Sequence, residues 1–518
     1  MKKTLIFCSS LLLSSAIFAQ VPEDAIKYSW QPVNGTARIA AVGGAMGSLG
    51  GDISAINVNP AGLGFYKTSD LVISPGFNFL NNKSNFRGTK AKDKASVFNL
   101  GTSGIVGGWQ GSGRWTSKAL SFAVTRTANF NNSIYYTGKN DFSSGAEQYA
   151  AEAASSGIDI HDIPDRSSVS FGTRMAVYNF LVDTTTLPGH SGPDVVSMSM
   201  VDMLRNGGPF LVNQSNRIET TGGITELALG YAANMDDKLY IGGSLGIPIV
   251  KYGKVSTFRE EDATENIDND FNYYELTEKY TTKGAGINFK LGMILKPAEF
   301  LRFGLAVHSP TWYSLTDTYS ATMVADLDQF RYNPGPTSVT STQLNGGVIP
   351  AYKYEIVSPW RFMLSGSYVL REIEDVRKQK GFLTADVEYV TYRSNRFRNG
   401  EDGDDNGYYD GVNDAVKNYY KGALNFRVGG ELKFTTIMTR LGFSYYGDPY
   451  KDKELKGNKM YLSGGLGYRD AGIFIDLTYI YSIQKDISFP YRLPDKANTF
   501  ANVNSNANSV MLTVGFKI

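Results

Sequence analysis

Apolar and polar residues alternate with a period of two along most of the chain. Stretches of about ten residues carry apolar side chains on one face and mostly polar side chains on the other. Such alternation predicts β-strands with one face in an apolar environment. The clearest case is 423–434, with Leu424, Phe426, Val428, Leu432 and Phe434 opposite Asn425, Arg427, Glu431 and Lys433.

Fourteen segments of this kind follow one another from residue 70 to the C-terminus. They are 70–80, 94–107, 117–130, 221–234, 238–251, 276–296, 299–320, 350–370, 380–393, 421–435, 437–447, 458–469, 471–484 and 507–518. Each is long enough for the roughly 9–11 residues that a tilted strand needs to cross a bilayer. The connections after odd-numbered segments are long and polar: 81–93, 131–220, 252–275, 321–349, 394–420, 448–457 and 485–506.

The connections after even-numbered segments are mostly short, as at 235–237 and 296–298. Short turns at one end and long loops at the other are typical of outer-membrane barrels, in which the long loops lie outside the cell. A soluble β-sandwich is the alternative, but the aromatic outer faces and the lack of a domain break disfavour it. The sequence therefore predicts an all-β fold, a 14-stranded antiparallel transmembrane β-barrel over residues 67–518, with both termini in the periplasm.

The composition agrees with strands of which only every second residue faces lipid. The 518 residues include 55 Gly, 32 Tyr and 29 Phe, but no later stretch has enough consecutive apolar residues for a membrane helix. The net charge is +1, and removing Lys2 and Lys3 leaves −1. This balance gives no indication of a nucleic-acid partner.

Residues 1–19 predict a signal peptide. Two lysines precede the apolar residues 5–18, and Ala19 offers a small residue for cleavage. The single cysteine, Cys8, lies inside this segment. The mature protein is therefore expected to have neither disulfides nor a thiolate metal site.

The stretch 38–65 is too rich in glycine and small side chains for an ordinary strand or helix. It contains seven glycines and the tetrapeptide Asn59-Pro60-Ala61-Gly62, in which Asn59 can cap a helical turn that begins at Pro60. It is not a phosphate-binding loop, because no strand precedes it and no Gly-Lys-Ser/Thr follows. Glycine allows a chain to fold tightly in a narrow lumen. We therefore expect residues 20–66 to form a leader and a hatch that plugs the barrel.

The longest connection, 131–220, is predicted to contain helices. Residues 145–155 are good helix formers, and residues 194–205 form a second, amphipathic stretch rich in methionine. Two helices that pack this loop over the barrel mouth are one interpretation. An adaptable apolar landing site for a ligand is the other.

An acidic stretch at 401–414 partly matches a calcium-binding loop. Its ligand positions would be filled by Asp402, Asp404, Asn406 and Asp410. The last position carries an asparagine in place of glutamate, and no flanking helices are predicted. A solvated loop tip is the alternative, and we predict no other cofactor.

Charged residues are predicted to face the lumen. They are Arg302, Asp386, Glu388, Arg427, Glu431 and Asp476. A salt-bridged network that braces the barrel and hatch is one hypothesis, and recognition of a carboxylate head group by Arg302 or Arg427 is another. His308 is also placed on the lumen face, next to Ser309. Adjacent residues on a strand point in opposite directions, so these two cannot form a hydrolase pair, and we predict no enzyme activity.

The tetrapeptide at 59–62, with the small residues before it, resembles the hatch of the FadL/TodX family of outer-membrane transporters for long-chain fatty acids and aromatic hydrocarbons. The stretch 284–313, with its short Lys296-Pro297 turn and His308-Ser309-Pro310-Thr311, is similar to the family's central hairpin. The residues at 359–362 match the start of a further strand, and the number of strands also agrees. The chain departs from the family in ending with Phe516-Lys517-Ile518 and not with an aromatic residue.

The resemblance implies passive uptake of a hydrophobic small molecule by a monomer in the outer membrane of a Gram-negative bacterium, in contact with its lipids. The ligand would enter the lumen from outside, meet the hatch and leave sideways through a gap in the wall. Arg302, His308 and Arg427 are the candidate ligand-binding residues. The alternative is a surface binding or adhesion barrel with a permanently shut hatch, for which haem held by His161, His190 or His308 is one candidate ligand. A general porin is a third possibility, which the hatch disfavours.

Overall fold

The structure is a computed structural model, and it covers most of the chain. It describes residues 22–264, 266, 268–328, 335–370, 379–400, 407–452 and 457–518. The predicted signal peptide lies outside these residues, as do Asp402, Asp404 and Asn406 of the predicted calcium loop.

Helices are short and lie in the N-terminal part and in the connections. The α-helices are α1 Pro22–Lys27, α2 Ala37–Ala41, α3 Ala55–Val58, α4 Glu147–Ser156, α5 Phe171–Tyr178, α6 Val201–Asn206 and α7 Asp410–Tyr419. Turns of 3₁₀ helix occur at Pro60–Phe65, Ile163–Asp165, Met198–Met200, Gln343–Asn345 and Tyr392–Ser394. Among the described residues, no helix is long and apolar enough to cross a membrane.

Strands make up most of the remaining chain. They are β1 Asp70–Ile73, β2 Pro75–Phe86, β3 Thr89–Leu100, β4 Ser103–Gln110, β5 Trp115–Asn129, β6 Asn132–Asn140, β7 Val182–Thr185, β8 Asp194–Ser197, β9 Val212–Met235, β10 Leu239–Asp262, β11 Tyr273–Ala298, β12 Leu301–His308, β13 Trp312–Asp326, β14 Thr337–Thr340, β15 Ala351–Val357, β16 Arg361–Leu370, β17 Gly381–Val390, β18 Arg396–Asn399, β19 Ala423–Phe434, β20 Ile437–Tyr446, β21 Lys459–Asp470, β22 Ile473–Ser488 and β23 Ala501–Lys517.

In the described ranges these strands, apart from the separate β7–β8 pair, form one closed antiparallel barrel of fourteen passes, which confirms the predicted fold class. Several passes are built from two strands in succession, namely β1 with β2, β3 with β4, β5 with β6, β12 with β13, β15 with β16 and β17 with β18. The last strand closes the barrel on the first, with Leu71 opposite Phe516 and Gly76 opposite Met511.

The outer face of the barrel carries an apolar band. On β11, Phe289, Leu291 and Met293 are exposed, whereas the alternate residues Asn288 and Lys290 are buried in the lumen. Outside a break beside β3, the backbone groups in this band are paired between neighbouring strands, as lipid requires. The polarity is therefore that of a transmembrane β-barrel, apolar outside and polar inside.

Most connections predicted as loops at one end of the barrel contain strand. The predicted loop 81–93 is almost entirely a continuation of β2 and β3, which turn at Arg87-Gly88. The predicted loop 252–275 is likewise shortened by β10 and β11. These extensions carry polar residues on both faces because they project beyond the apolar band. They therefore lack the alternation of apolar and polar residues by which strands were predicted. We call the end that they form the outer end, and the end with the short connections the turn end.

The insertion between β6 and β9 covers part of the outer end. Helix α4 confirms the first predicted helix approximately, but the helix predicted over 194–205 is wrong in its first part. Residues Asp194–Ser197 form β8, which pairs with β7, and a helix begins only after them. Two adjacent β-branched residues, Val195 and Val196, favour the extended backbone there.

Glu260, at the outer end of β10, ties this insertion to the barrel. Its side chain is fully buried and accepts hydrogen bonds from Ser144 Oγ, Gly145 N (2.9 Å) and Gln214 Nε2 (2.6 Å). Burial raises the pKa of Glu260 to about 7, although these three donors act in the opposite direction.

Candidate functional site

Residues 22–66, here called the N-terminal segment, run through the lumen from the outer end to the turn end. At the outer end, Tyr420 donates a hydrogen bond to Pro22 O (3.2 Å), and α1 lies against α7. At the turn end, Tyr66 leads into β1. The prediction that both termini lie at one end is therefore wrong for the described N-terminal residues, because this segment spans the lumen lengthwise before the first strand begins.

Asn59 fixes the deepest part of the N-terminal segment to the wall. Its side chain caps the 3₁₀ turn by accepting from Ala61 N (3.2 Å), as the sequence predicts. Its Nδ2 donates to Gly47 O (2.5 Å) and contacts Met293 O and Leu305 O at 3.3 and 3.4 Å. One asparagine thus joins two parts of the segment to β11 and β12.

The remaining residues of the predicted gating tetrapeptide are buried beside it. Pro60, Ala61 and Gly62 lie in the 3₁₀ turn, and Gly51 N donates to Gly62 O (3.1 Å). This contact closes the glycine-rich loop on itself within the lumen.

Glycines on the wall allow this close approach. A Cβ at Gly292 would lie 1.8 Å from Asn59 Oδ1, and one at Gly242 would lie 2.6 Å from the carbonyl carbon of Pro60. The same holds across the lumen, where a Cβ at Gly429 would lie 2.3 Å from Val42 O. These glycines face inwards, so their role is to leave room for the backbone of the N-terminal segment.

The lumen charges form a network of ion pairs, as one of the two hypotheses proposes. Glu388 pairs with Arg361 (2.9 Å) and with Arg427. Arg440, which is fully buried, pairs with Glu431 (2.6 Å) and Asp476 (2.5 Å). Arg361 and Arg440 are members that the sequence argument did not identify, because the strand register that pairs them with the acids was unknown.

A second set of charged groups binds the backbone of the N-terminal segment. Asp386 accepts from Met46 N (3.0 Å) and Gly47 N (3.1 Å). Arg302 Nη1 donates to Leu49 O (2.6 Å), with its guanidinium over the Phe65 ring. The barrel therefore holds this segment through directed polar contacts as well as through packing.

The other residues predicted to bind ligand are also engaged by the protein. His308 Nε2 lies 2.8 Å from Val58 O, and Arg427 pairs with Glu388 and lies over the Tyr446 ring. His161 and His190 are exposed in the outer insertion, far along the chain from the lumen-facing His308. The structure does not bring these histidines into one site.

The predicted calcium ligands are only partly described. Asp410 is exposed at the start of α7, a helix that the sequence argument did not expect. Asn413, at the last ligand position, is buried and bonded through its amide to Phe397 N (2.8 Å) and Phe397 O (3.0 Å). Within the described ranges, no three His, Cys, Asp or Glu residues are placed to hold a metal ion.

A cavity of about 390 Å³ lies beside the N-terminal segment in the outer half of the lumen. Trp30 and Val33 of the segment form one side, with Tyr461 and Ile480 of the wall. Its lining also includes amides and other groups from β2, β3 and the bend between β5 and β6. The sequence argument had no means of locating this cavity.

The cavity adjoins a break in the backbone ladder of the wall. Strand β4 pairs with β5 from Gln110 to Ser103, but no ladder joins β3 to β5 or β6 in the described residues. Beyond Asn129 the chain bends, and β6 crosses the inner face of the β2–β3 hairpin, where Ser133 Oγ donates to Asp93 (2.7 Å). We call this break the seam.

The N-terminal segment bridges the seam. The Asn34 side-chain amide donates to Leu100 O on β3 (3.3 Å) and to Arg126 O on β5. Asn57 Nδ2 donates to Thr125 Oγ1 close by (2.8 Å). The sequence contained a signal for the bend in Gly222-Gly223, opposite the bend on β9, because glycines inside a strand mark bulges.

The fold and these contacts define a class: a 14-stranded transmembrane β-barrel whose lumen holds its own N-terminal segment beside a seam in the wall. Neither protein-family models nor curated proteins match the sequence. Solved structures do. The chain is similar to a FadL homologue from Pseudomonas aeruginosa, with 12% identity, 94% of this chain and 99% of the other covered, and a TM-score of 0.55.

It is also similar to TodX, the toluene transporter of P. putida, with 12% identity, the same coverage and a TM-score of 0.50. A sequence identity of 12% supports a shared fold and nothing beyond it. The protein has the fold of this FadL homologue and of TodX, which confirms the fold implied by the resemblance in its sequence.

Proposed function

We propose that this protein is an outer-membrane channel for the passive uptake of hydrophobic small molecules. The observation that carries the proposal is the position of the cavity, between the N-terminal segment and a seam in an otherwise closed wall. The fold shared with a toluene transporter supports it. The apolar outer band supports a location in a bilayer, and a closed barrel needs no partner subunit, so a monomer surrounded by outer-membrane lipids is the proposed state.

In this proposal residues 22–66 act as the hatch. Asn59 and the ion-paired wall hold the segment across the lumen, so a straight path to the turn end is blocked. The ligand instead reaches the cavity and leaves sideways through the seam into the membrane. Side chains and not backbone pairs close the seam, and displacing Asn34 removes a bridge between its two edges.

Uptake can be measured in cells that lack their own importer for hydrophobic compounds. Labelled long-chain fatty acids and alkylbenzenes are supplied, and the rate is compared with that of cells carrying the empty vector. The proposal expects faster uptake of at least one of these classes. A rate equal to that of the vector for every apolar solute would refute transport and leave a surface-binding barrel.

A disulfide lock tests the hatch separately. Ser48 Oγ lies 2.8 Å from Ser365 Oγ on β16, so cysteines at these two positions would bring their sulfur atoms together. The double variant Ser48→Cys with Ser365→Cys would join the segment to the wall in a mature chain expected to have no other cysteine. We expect uptake to fall under oxidation and to return with a reductant, whereas the single variant Ser48→Cys stays unchanged. Full uptake in the oxidised double variant would show that the segment does not gate.

A further inference from the structure

We propose that the outer face of the β2–β3 hairpin, together with the neighbouring part of β23, binds the phosphorylated glycolipid of the outer leaflet. The inference rests on the proposed location in an outer membrane and not on the uptake function. The residues that carry it point away from the lumen, and we call the surface that they form the lysine face. They are Lys83, Lys90, Lys92 and Lys94, with Asn81, Asn85, Asn502, Asn504 and Asn506.

Strand register places the four lysines next to one another. Lys83 on β2 lies directly opposite Lys92 on β3. Lys90 and Lys94 occupy the next outward positions on β3, opposite two asparagines. Directly opposed side chains have Cβ atoms about 4.5–5.5 Å apart, and like charges at this separation destabilise a sheet. An anionic ligand between the lysines would remove this repulsion.

The packing of the hairpin depends on its inner face. Phe86 is buried there, with its ring centroid 5.3 Å from that of Tyr136 on β6. Asp93, the only acidic residue in 75–100, also lies on the inner face and pairs with Arg217 (3.2 Å). On the outer face, none of the four lysines has an ion pair or a side-chain hydrogen bond within the described part of the chain. The lysines therefore take no part in holding the hairpin in place.

The lysine face begins where the apolar band ends. Phe77, Phe79 and Phe98 are exposed on the same side of the hairpin, and the rings of Phe77 and Phe98 meet edge to face with centroids 5.7 Å apart. Four residues at about 3.4 Å each place Lys83 about 14 Å beyond Phe79 along β2, or about 10 Å along the membrane normal for a strand tilted by about 45°. Lysine side chains can also reach back along an apolar surface. The ammonium groups therefore lie at the depth of lipid head groups.

A phosphorylated glycolipid matches both residue types of the lysine face. Ammonium groups form charge-assisted hydrogen bonds with phosphate oxygens, and asparagine amides both donate and accept, as sugar hydroxyl groups require. Lysines also protect free sheet edges from pairing. That role does not account for Lys83, because β2 is paired at this position with β3 on one side and with β23 on the other. The observations therefore favour a bound anionic lipid over a solvated extension.

Binding is measured on the purified full-length protein in detergent by native mass spectrometry. The probes are diphosphoryl lipid A, monophosphoryl lipid A and phosphatidylethanolamine, with a heparin oligosaccharide as a soluble polyanion. We expect diphosphoryl lipid A to bind most tightly and phosphatidylethanolamine most weakly, and the affinity for lipid A to fall as ammonium acetate is raised. Equal binding of the three lipids would overturn the proposal. Tighter binding of the heparin oligosaccharide would assign the face to a soluble polyanion and overturn it as well.

The double variant Lys83→Gln with Lys92→Gln tests the residues, since glutamine is polar but carries no charge. We expect diphosphoryl lipid A to bind about 30-fold more weakly, the equivalent of about 2 kcal/mol for two lysines at an anionic lipid surface. The control is Lys238→Gln with Lys380→Gln, which removes the same charge from exposed positions at the turn end and should leave the affinity unchanged. Unaltered affinity in the first variant, or an equal loss in both, would refute the assignment.

Thermal unfolding without lipid separates binding from folding. Because Lys83 and Lys92 repel each other, their double variant should unfold at the temperature of the wild type or above it. If it does not fold, Lys90→Gln with Lys94→Gln takes its place, with the same expected loss of affinity. Binding of lipid A without cellular uptake of apolar solutes would refute transport and leave this site intact. Uptake by a wild type that shows no preference for lipid A would do the reverse.

Discussion

Replacing Gly292 by alanine tests whether the N-terminal segment depends on close approach to the wall. Gly292 faces the lumen on β11, and an added Cβ would lie 1.8 Å from Asn59 Oδ1 and 3.2 Å from Ala61 N. The carboxamide of Asn59 must therefore move away. We expect Gly292→Ala to displace the turn at Asn59 while the barrel ladder stays intact.

The magnitude follows from the contacts that Asn59 makes. Overpacking a buried site costs about 1–3 kcal/mol. Displaced Asn59 also loses its hydrogen bond to Gly47 O and its longer contacts to Met293 O and Leu305 O, at about 0.5–1.5 kcal/mol for a full hydrogen bond. The two costs cannot simply be added, because the movement that relieves the overlap is the same movement that breaks these hydrogen bonds. We therefore expect about 2 kcal/mol in total, or about a 30-fold larger displaced population.

Hydrogen–deuterium exchange of the amides in residues 55–65, measured in detergent, reports this population. The control is Gly366→Ala on β16, where no atom lies within 4 Å of an added Cβ. Exchange in Gly292→Ala should be about 30-fold faster than in the wild type, and exchange in the control should not change. Equal protection in the two variants would refute the view that wall glycines seat the segment.

Two further predictions concern buried charges. Arg440→Met leaves Asp476 without its guanidinium partner and Glu431 with only Arg38, at 3.5 Å, so the free energy of unfolding in urea should fall by about 3 kcal/mol. Arg114→Met, which breaks an exposed pair, should change it by less than about 1 kcal/mol. An equal effect of the two would contradict the bracing role of the network. The pKa of Glu260 is raised from 4.5 to about 7, so its contribution to the closed outer insertion is fully present below pH 4.5 and is lost as the pH rises through 7. The protection factor of the α4 amides, which corrects for the intrinsic rise of exchange with pH, should therefore decrease from pH 4.5 to 7 in the wild type but not in Glu260→Gln. A parallel decrease of the protection factor in both would show that another group is responsible.

The barrel could be predicted because its outer band leaves a regular trace in the sequence. The clearest predicted strand, 423–434, coincides with β19, since the outward side chains there are apolar and most of the inward ones are polar. The cap at Asn59 could also be predicted from the sequence, because it depends on two neighbouring residues. Local patterns of this kind need no knowledge of the tertiary structure.

The strand extensions and the seam could not be predicted in the same way. Residues 81–93 form strands with polar residues on both faces, which have no apolar period. The seam depends on where β6 crosses the β2–β3 hairpin. The ion pairs of Arg440 depend on strand register, which places residues close in space that lie up to 36 positions apart. The seam and these ion pairs are properties of the assembled sheet.

The lengthwise course of the N-terminal segment constrains the order in which the molecule is assembled. Thr513 on β23, the strand that closes the barrel, accepts a hydrogen bond from Ala37 N (2.7 Å) inside the lumen. Closure joins β23 to β1 and β2 across nearly the whole chain, and such distant pairings form late. The segment is already present in the open sheet at that stage. The barrel therefore closes around the N-terminal segment, and this segment acts as a template for the circumference of the barrel.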